Sequence, residues 1–170
     1  MYRGDNIYIR NITSDDLDLI LSWENNPNNW KVSSTVKSYN RKQIEEFVNL
    51  RQDIFEFEQL RLIICLNTTN EIIGNVDLFE FEDEHHRVGV GIMIDEIYRN
   101  QGFADQSIKL IEEYSSLILG IKNLFCNILS DNLISIKLFK RNNFKRVGVK
   151  KNWHQYNGEW FDECLYQKEI

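Results

Sequence analysis

Ile92-Met93-Ile94-Asp95-Glu96-Ile97-Tyr98-Arg99-Asn100-Gln101-Gly102-Phe103-Ala104 is the stretch from which the rest of the chain is read. An apolar strand runs into a polar loop, and the loop opens a long helix. The first residues of a helix carry backbone N–H groups with no partner inside the helix. Those donors, and the positive end of the helix dipole, suit a pyrophosphate. Gly102 permits a close backbone approach, and Ala104 is small for the same reason. Arg99 adds a fixed positive charge. On these grounds alone a plain strand-to-helix turn is slightly the better reading, because one glycine in a loop is a weak signal.

Outward from this loop, strand-like and helix-like runs alternate, which points to an α/β architecture. Residues Gly102 to Leu119 are predicted as a helix, with Ala104, Ile108, Ile111, Ser115 and Ile118 on one face and Gly120 as its left-handed stop. Asn123 to Leu129 reads as a strand and Asp131 to Arg141 as a helix. Phe144 to Val149 and Phe161 to Gln167 read as the last strands. Upstream, Leu60 to Leu66, Glu71 to Phe81 and Val88 to Ile94 read as an antiparallel meander. A turn at 67–70 and the polar Glu82 to His86 connect them. Ile7 to Ile12 is the first strand, and Thr13-Ser14-Asp15-Asp16 starts a helix with Leu17, Ile20 and Leu21 on its apolar face. Asn25-Asn26-Pro27-Asn28-Asn29 is expected to break that helix into a loop. Arg41 to about Phe55 is expected to be a second helix, with Ile44, Phe47 and Val48 on one side. The crossover from 88 to 129 should be right-handed within a mixed sheet.

The 170 residues read as a single domain, with one proline and no repeat or low-complexity linker. The net charge of −6 makes nucleic acid a poor partner. It favours a cationic small molecule, or serves only solubility. No run of about 18 apolar residues is present, so no membrane span is expected. Met1 to Asn6 lacks the apolar core of a secretion signal, so a cytoplasmic protein is expected. Cys65, Cys126 and Cys164 fall in apolar runs and read as buried, reduced thiols. Neither they nor His85 and His86, in an acidic turn, show metal-ligand spacing, and no metal is expected.

Arg99-x-x-Gly102-x-Ala104 after a strand resembles the Arg/Gln-x-x-Gly-x-Gly/Ala loop of the GNAT acetyltransferases, which holds the coenzyme A pyrophosphate. Asp131-Asn132 follows a strand where that family has an asparagine on the pantetheine arm. Leu138-Phe139-Lys140-Arg141-Asn142-Asn143-Phe144 is similar to the family's Leu-Tyr-x-x-x-Gly-Phe segment. Asn157-Gly158-Glu159-Trp160-Phe161-Asp162-Glu163 resembles a turn in the branch of diamine (spermidine-type) and ribosomal-protein N-terminal acetyltransferases. The element order over nearly the whole chain is also similar. The resemblance implies a mixed, mostly antiparallel sheet of about seven strands flanked by four helices. It implies acetyl-CoA as cosubstrate, held by Ile92, Met93, Ile94, Arg99, Asn100, Gln101, Gly102, Phe103, Ala104, Asn132 and Phe139. It also implies a homodimer, and an oxyanion donor among the backbone N–H groups near Met93 or Ile94.

Three positions depart from the family pattern. Asn143 replaces glycine, a cheap exchange where the chain turns left-handed. Phe139 stands where many members have a tyrosine that protonates the departing thiolate, so water or another group must serve, the thiolate leaves unprotonated, or turnover is slow or absent. Gly89 lies where polyamine acetyltransferases have a glutamate. Gly89 and Gly91 share one side of their strand, and such glycines mark either a ligand's close approach or tight packing against a side chain.

Acetyl transfer to an alkyl amine, protonated at neutral pH, requires a proton acceptor. Asp77 and Glu80 are the nearest candidate acids, followed by Glu82, Asp83 and Glu84. Each is otherwise a solvated residue on a strand face. Trp23, Glu24, Trp30, Tyr39 and Asp77 are the candidate acceptor-binding residues, since aromatic faces suit cations. Core or loop packing is the other reading of these aromatics, and Trp23 fits the core. The expected reaction is acetylation of a primary amine on a small molecule such as a polyamine. The rivals are a protein N-terminus, an amino sugar or an aminoglycoside as acceptor, and a module that binds CoA or a ligand without turnover.

Overall fold

The computed structural model describes residues 1–170 except 34–36 and 51–52. Its strands are β1 (Tyr2–Arg3), β2 (Ile7–Asn11), β3 (Leu60–Leu66), β4 (Ile72–Glu82), β5 (Arg87–Ile94), β6 (Asn123–Leu129), β7 (Lys145–Tyr156) and β8 (Glu159–Glu169). They form one sheet in the order β1-β2-β3-β4-β5-β6-β8-β7. The helices are α1 (Leu17–Glu24), α2 (Pro27–Ser33), α3 (Arg41–Asn49), α4 (Ile54–Phe57), α5 (Phe103–Leu119) and α6 (Leu133–Arg141). The class is the expected one, with eight strands rather than about seven and six helices among the described residues rather than four.

Each added element has a local cause. The short β1 pairs Tyr2 with Ile9 and Arg3 with Tyr8. The expected loop at 25–29 instead opens α2. Pro27 takes the first helical position, where its missing N–H is no loss, and the Asn26 side chain accepts the Asn28 amide at 3.0 Å. The helix expected from Arg41 to Phe55 stops at Asn49, because Leu50 is extended (ψ 139°). Asp53 starts the separate turn α4 by accepting the Phe55 amide at 3.1 Å. Residues 51–52 of that expected helix lie outside the described residues. The last two strands outrun the expected ones, because Asn157 (φ 50°) and Gly158 (φ 83°) close β7 and β8 into a two-residue hairpin.

Alternation along β2 and β3 supplies two cores. Ile7, Ile9, Leu62 and Ile64 face one side, with Ile108 and Ile111 of α5 and Leu138 and Phe139 of α6. Tyr8, Ile63 and Cys65 face the other, with Leu17 and Ile20 of α1 and Ile44 and Val48 of α3. A strand's side chains point alternately to opposite faces, so a sheet covered on both faces is apolar at every position. All three cysteines are buried with free thiols, as read from the sequence. Among the described residues no helix is long and apolar enough to cross a membrane.

Candidate functional site

The sheet has one weak seam. Strands β5 and β6 run parallel and pair only over Arg87–Gly89 with Asn123–Phe125. Beyond Gly89 the β5–β6 ladder ends, and a cleft of about 400 Å³ opens there. Gly91 and Ile92 line it from β5, Cys126 and Asn127 from β6, and Asn132 and Phe139 from the loop and α6. Oδ1 of Asn127 is buried there with no hydrogen-bond partner among the described residues. A buried acceptor left so is costly unless a ligand donates to it.

The loop after β5 is built at the end of this seam. Asp95 accepts the Trp23 indole N–H at 2.9 Å and the Ile97 amide at 3.3 Å. A single 3₁₀ turn, Glu96–Tyr98, follows. Arg99 folds back, donating from Nε to the Ile94 carbonyl at 2.9 Å, and Gln101 donates to the Ile97 carbonyl at 3.1 Å. Asn100 (φ 61°) and Gly102 (φ 80°) are both left-handed. A Cβ added at Gly102 would meet nothing within 4 Å. This glycine therefore answers to backbone conformation, and open space lies in front of the first turn of α5. Phe103 and Ala104 pack against the core behind it. Met93 and Ile94 pair with Asn75 and Gly74 of β4. The 17-residue α5, its open first turn and the unpartnered Asn127 oxygen fit a long ligand that ends in phosphate, as coenzyme A does.

Past the cleft, the Asn132 side chain accepts the Ser135 amide at 3.1 Å and so caps α6. Phe139 is buried, with its ring edge-on to Phe144 at 5.0 Å, and it offers no proton donor. Asn143 has φ 68°, the left-handed conformation expected for a residue replacing glycine.

The two glycines of β5 have different causes. A Cβ on Gly89 would lie 2.3 Å from Cε2 of Phe79, whereas one on Gly91 would be 3.7 Å from the Asp77 Cβ. Gly89 therefore accommodates a neighbouring ring rather than a ligand arm. Gly91 has room and lines the cleft.

On the β4 side, Asp77 and Glu24 share one cation. Arg61 donates to Asp77 from Nε at 2.5 Å and from Nη2 at 2.9 Å, and to Glu24 from Nη1 at 2.5 Å. Burial works against the guanidinium's charge, but the two carboxylates more than offset it, so its pKa is raised. Asp77 also accepts from Asn75 at 3.1 Å. Arg61, Asp77 and Phe79 line a smaller hollow of about 120 Å³ with Phe47, Leu50 and Phe57. Phe79 borders both the hollow and the cleft, and Asp77 is in register with Gly91. Trp30 donates its indole N–H to the Glu24 carbonyl at 2.8 Å. The Tyr39 backbone exchanges hydrogen bonds of 2.8 and 2.9 Å with the Asn25 side chain. Trp23 is core, as its packing reading had it. Glu80 is exposed, with φ 48°, at the irregularity between Phe79 and Glu82. It lines neither the hollow nor the cleft.

Sequence reasoning missed one group altogether. His154 on β7 and Glu163 on β8 both line the cleft. His154 Nε2 is 2.5 Å from Glu163 Oε2, and Lys150 donates to Glu163 Oε1 at 2.8 Å. Glu163 is only 7% exposed. Burial pushes its carboxyl up, but the bonds from Lys150 and His154 outweigh burial and hold it below the usual range. No local motif announces this pair, since an irregularity in the β7–β8 pairing between Lys150 and His154 sets their positions. Among the described residues, no group of three His, Cys, Asp or Glu is placed to hold a metal ion.

Residues 6–145 match the acetyltransferase (GNAT) domain family. The chain is 26% identical over 167 residues to the uncharacterized N-acetyltransferase YoaA of Bacillus subtilis, covering 95% of this chain and 92% of that protein. Its fold superposes on spermidine N-acetyltransferase from Vibrio cholerae in complex with CoA and spermine with a TM-score of 0.89, at 21% identity, over 98% of this chain and 96% of the other. It superposes on a GNAT-family acetyltransferase from Bacillus anthracis with a TM-score of 0.83, at 17% identity, over 99% and 97%. At such identities the structural likeness speaks for the fold.

Proposed function

The chain belongs to the GNAT acetyltransferases and is an acetyl-CoA-dependent N-acetyltransferase, and from that premise we propose that its acceptor is the primary amine of a small cationic molecule of the polyamine class. The observation that carries this reading is the Glu24–Arg61–Asp77 cluster beside the cleft. Two carboxylates against one guanidinium leave a net negative charge at the hollow that shares Phe79 with the cleft. Trp30 and Tyr39, from α2 and the segment after it, add aromatic surface, and aromatic faces attract ammonium groups. Spermine bound to the Vibrio cholerae enzyme supports the same acceptor class.

When bound, acetyl-CoA supplies the activated acetyl group. Residues Arg99 to Ala104 and the first turn of α5 hold its phosphates. Asn127 and Asn132 face its amide-bearing arm, and Phe139 excludes water beside the thioester. Gly91 leaves the β5 wall clear where the reacting groups meet. The chain then needs only to orient the amine and receive its proton.

The test is release of free thiol from acetyl-CoA with polyamines, amino sugars, aminoglycosides and peptides as acceptors. Turnover is expected with spermidine or spermine. Turnover with peptides alone would overturn the small-molecule reading. CoA binding with no turnover on any acceptor would favour a ligand-binding module.

A further inference from the structure

Of the two glycines that share one side of β5, Gly89 is covered and Gly91 is not. The Phe79 ring takes the space over Gly89, which is buried. Gly91 is half-buried, in register with Asp77 and on the cleft wall. Among the described residues, a carbon set where its Cβ would be lies 3.7 Å from Asp77 Cβ and 4.0 Å from Phe79 Cε1. Those are ordinary van der Waals contacts, so one carbon stands there without strain. A further carbon on the β4 side, one bond of about 1.5 Å nearer, would overlap Asp77 or Phe79. Neither neighbour is placed to yield. The Phe79 ring is edge-on to Phe125 at 5.7 Å and stands over Gly89. Asp77 is tied by Arg61 and by Asn75. Phe79 also borders the hollow at the Arg61–Asp77 pair, so one ring edges both the hollow and the cleft.

We propose that Phe79 is the specificity-determining residue for the acceptor: with Asp77 Cβ it limits the space over Gly91, so that an amine carried on a CH2 group passes and one carried on a branched or ring carbon is refused. This deepens the acceptor reading above and rests on it. The nitrogen leads toward the acetyl carbon, and the carbon that bears it follows over Gly91. In a polyamine that carbon is a CH2, whose single further carbon points back along the entry path. At a peptide N-terminus other than glycine the same carbon bears a side chain and a carbonyl. In a 2-amino sugar it bears two ring carbons. One substituent then points back along the path and the other meets Phe79 or Asp77. A misfit of one methyl group in an apolar space is worth about 10–200-fold in discrimination. The Glu24–Arg61–Asp77 charge draws ammonium groups in, and the ring selects among them by the substitution on their first carbon.

Two diamines that differ only by a methyl group on each amine-bearing carbon, 1,4-diaminobutane and 2,5-diaminohexane, test this. The wild type should favour the unbranched one by at least about tenfold in kcat/KM. Phe79→Leu withdraws the ring edge. It should raise kcat/KM for the branched diamine and shrink the ratio by at least about threefold, with the KM for acetyl-CoA within a few fold of wild type. Gly91→Ala sets a carbon in the space itself. It should lower kcat/KM for 1,4-diaminobutane by at least about tenfold. It should melt no lower than wild type, because its methyl makes only ordinary contacts. Equal wild-type rates on the two diamines, or a ratio that Phe79→Leu leaves unchanged, would overturn the proposal while the polyamine reading stands. Acetylation of an aminomethyl sugar but of neither diamine nor a ring amine would fault the polyamine reading and support the role of Phe79. Turnover of peptides alone would overturn both. If no amine is acetylated, calorimetry on protein saturated with CoA decides. Tighter binding of 1,4-diaminobutane than of 2,5-diaminohexane, with the difference reduced in Phe79→Leu, is expected, and equal binding would overturn the proposal.

Discussion

The ring of Phe79 occupies the space that a side chain on Gly89 would need: a Cβ there would lie 2.3 Å from the ring's Cε2. The same ring packs edge-on against Phe125 at 5.7 Å, beside the last paired residues of the β5–β6 seam. Ring and glycine are therefore one unit. An acid at 89 and an aromatic at 79 exclude each other in this chain.

Gly89→Ala should destabilise the protein by about 1–3 kcal/mol, the usual cost of overpacking. In a Phe79→Ala background that penalty should largely vanish, because the clash partner is gone. Denaturant melts of the four proteins in the double-mutant cycle check this. An additive pair of penalties would mean that Gly89 is required for another reason.

Gly102→Glu should weaken CoA binding at least tenfold by calorimetry. It sets a negative side chain in the open space before α5, where the helix end and Arg99 favour an anion. Gly102→Asn should stay within a few fold of wild type, since asparagine tolerates φ 80° and carries no charge. An unchanged affinity in the glutamate variant would place the phosphates elsewhere.

Arg61→Met should cost about 2–3 kcal/mol, because it leaves Glu24 and Asp77 facing each other without their shared cation. Adding Asp77→Asn should recover part of that loss. If Asp77→Asn makes the variant worse, the repulsion argument is wrong.

Asp16 sets an acid limit on stability. Burial pushes its carboxyl up, but hydrogen bonds from Arg10 (2.7 Å from each nitrogen) and from the Thr13 amide (2.8 Å) outweigh burial and hold it below its ordinary range. A carboxylate whose folded pKa is depressed stabilises the fold above its unfolded value of about 3.9. That contribution is lost as pH falls from there through the folded value. Asp16→Asn should lower stability at pH 7 by about 2 kcal/mol. It should also flatten the stability curve below about pH 4. A variant whose acid limb matches wild type would show that Asp16 is not the group responsible.

The strand, loop and helix start proposed to hold the cofactor were legible because they are local. Strand, loop and helix start are contiguous from Ile92 to Ala104, and a positive φ at Gly102 is a property of its own backbone. The same holds for Asn143. The acceptor half was not legible. Asp77 looked like an uncommitted acid until Arg61, sixteen residues earlier, was seen to bind both it and Glu24. Trp23 fits the core from its sequence, but that its indole N–H reaches Asp95, beneath the loop, is a contact across 72 residues that only the fold supplies. Helix α2 was read as a loop because Pro27 among four asparagines signals a break as readily as a helix start.

The order of elements, the buried faces of β2 and β3, the left-handed turns and the glycine-led start of α5 follow from the chain's own residues, because each depends on contacts within a few positions or on a simple period. The end of the β5–β6 ladder at Gly89, the Phe79 ring over that glycine, the Arg61 cluster and the His154–Glu163 pair depend on how strands far apart in the chain align. An irregularity in strand pairing, such as the one between Lys150 and His154, resets which side chains meet. That register is settled by packing across the whole sheet, so only the tertiary structure decides it.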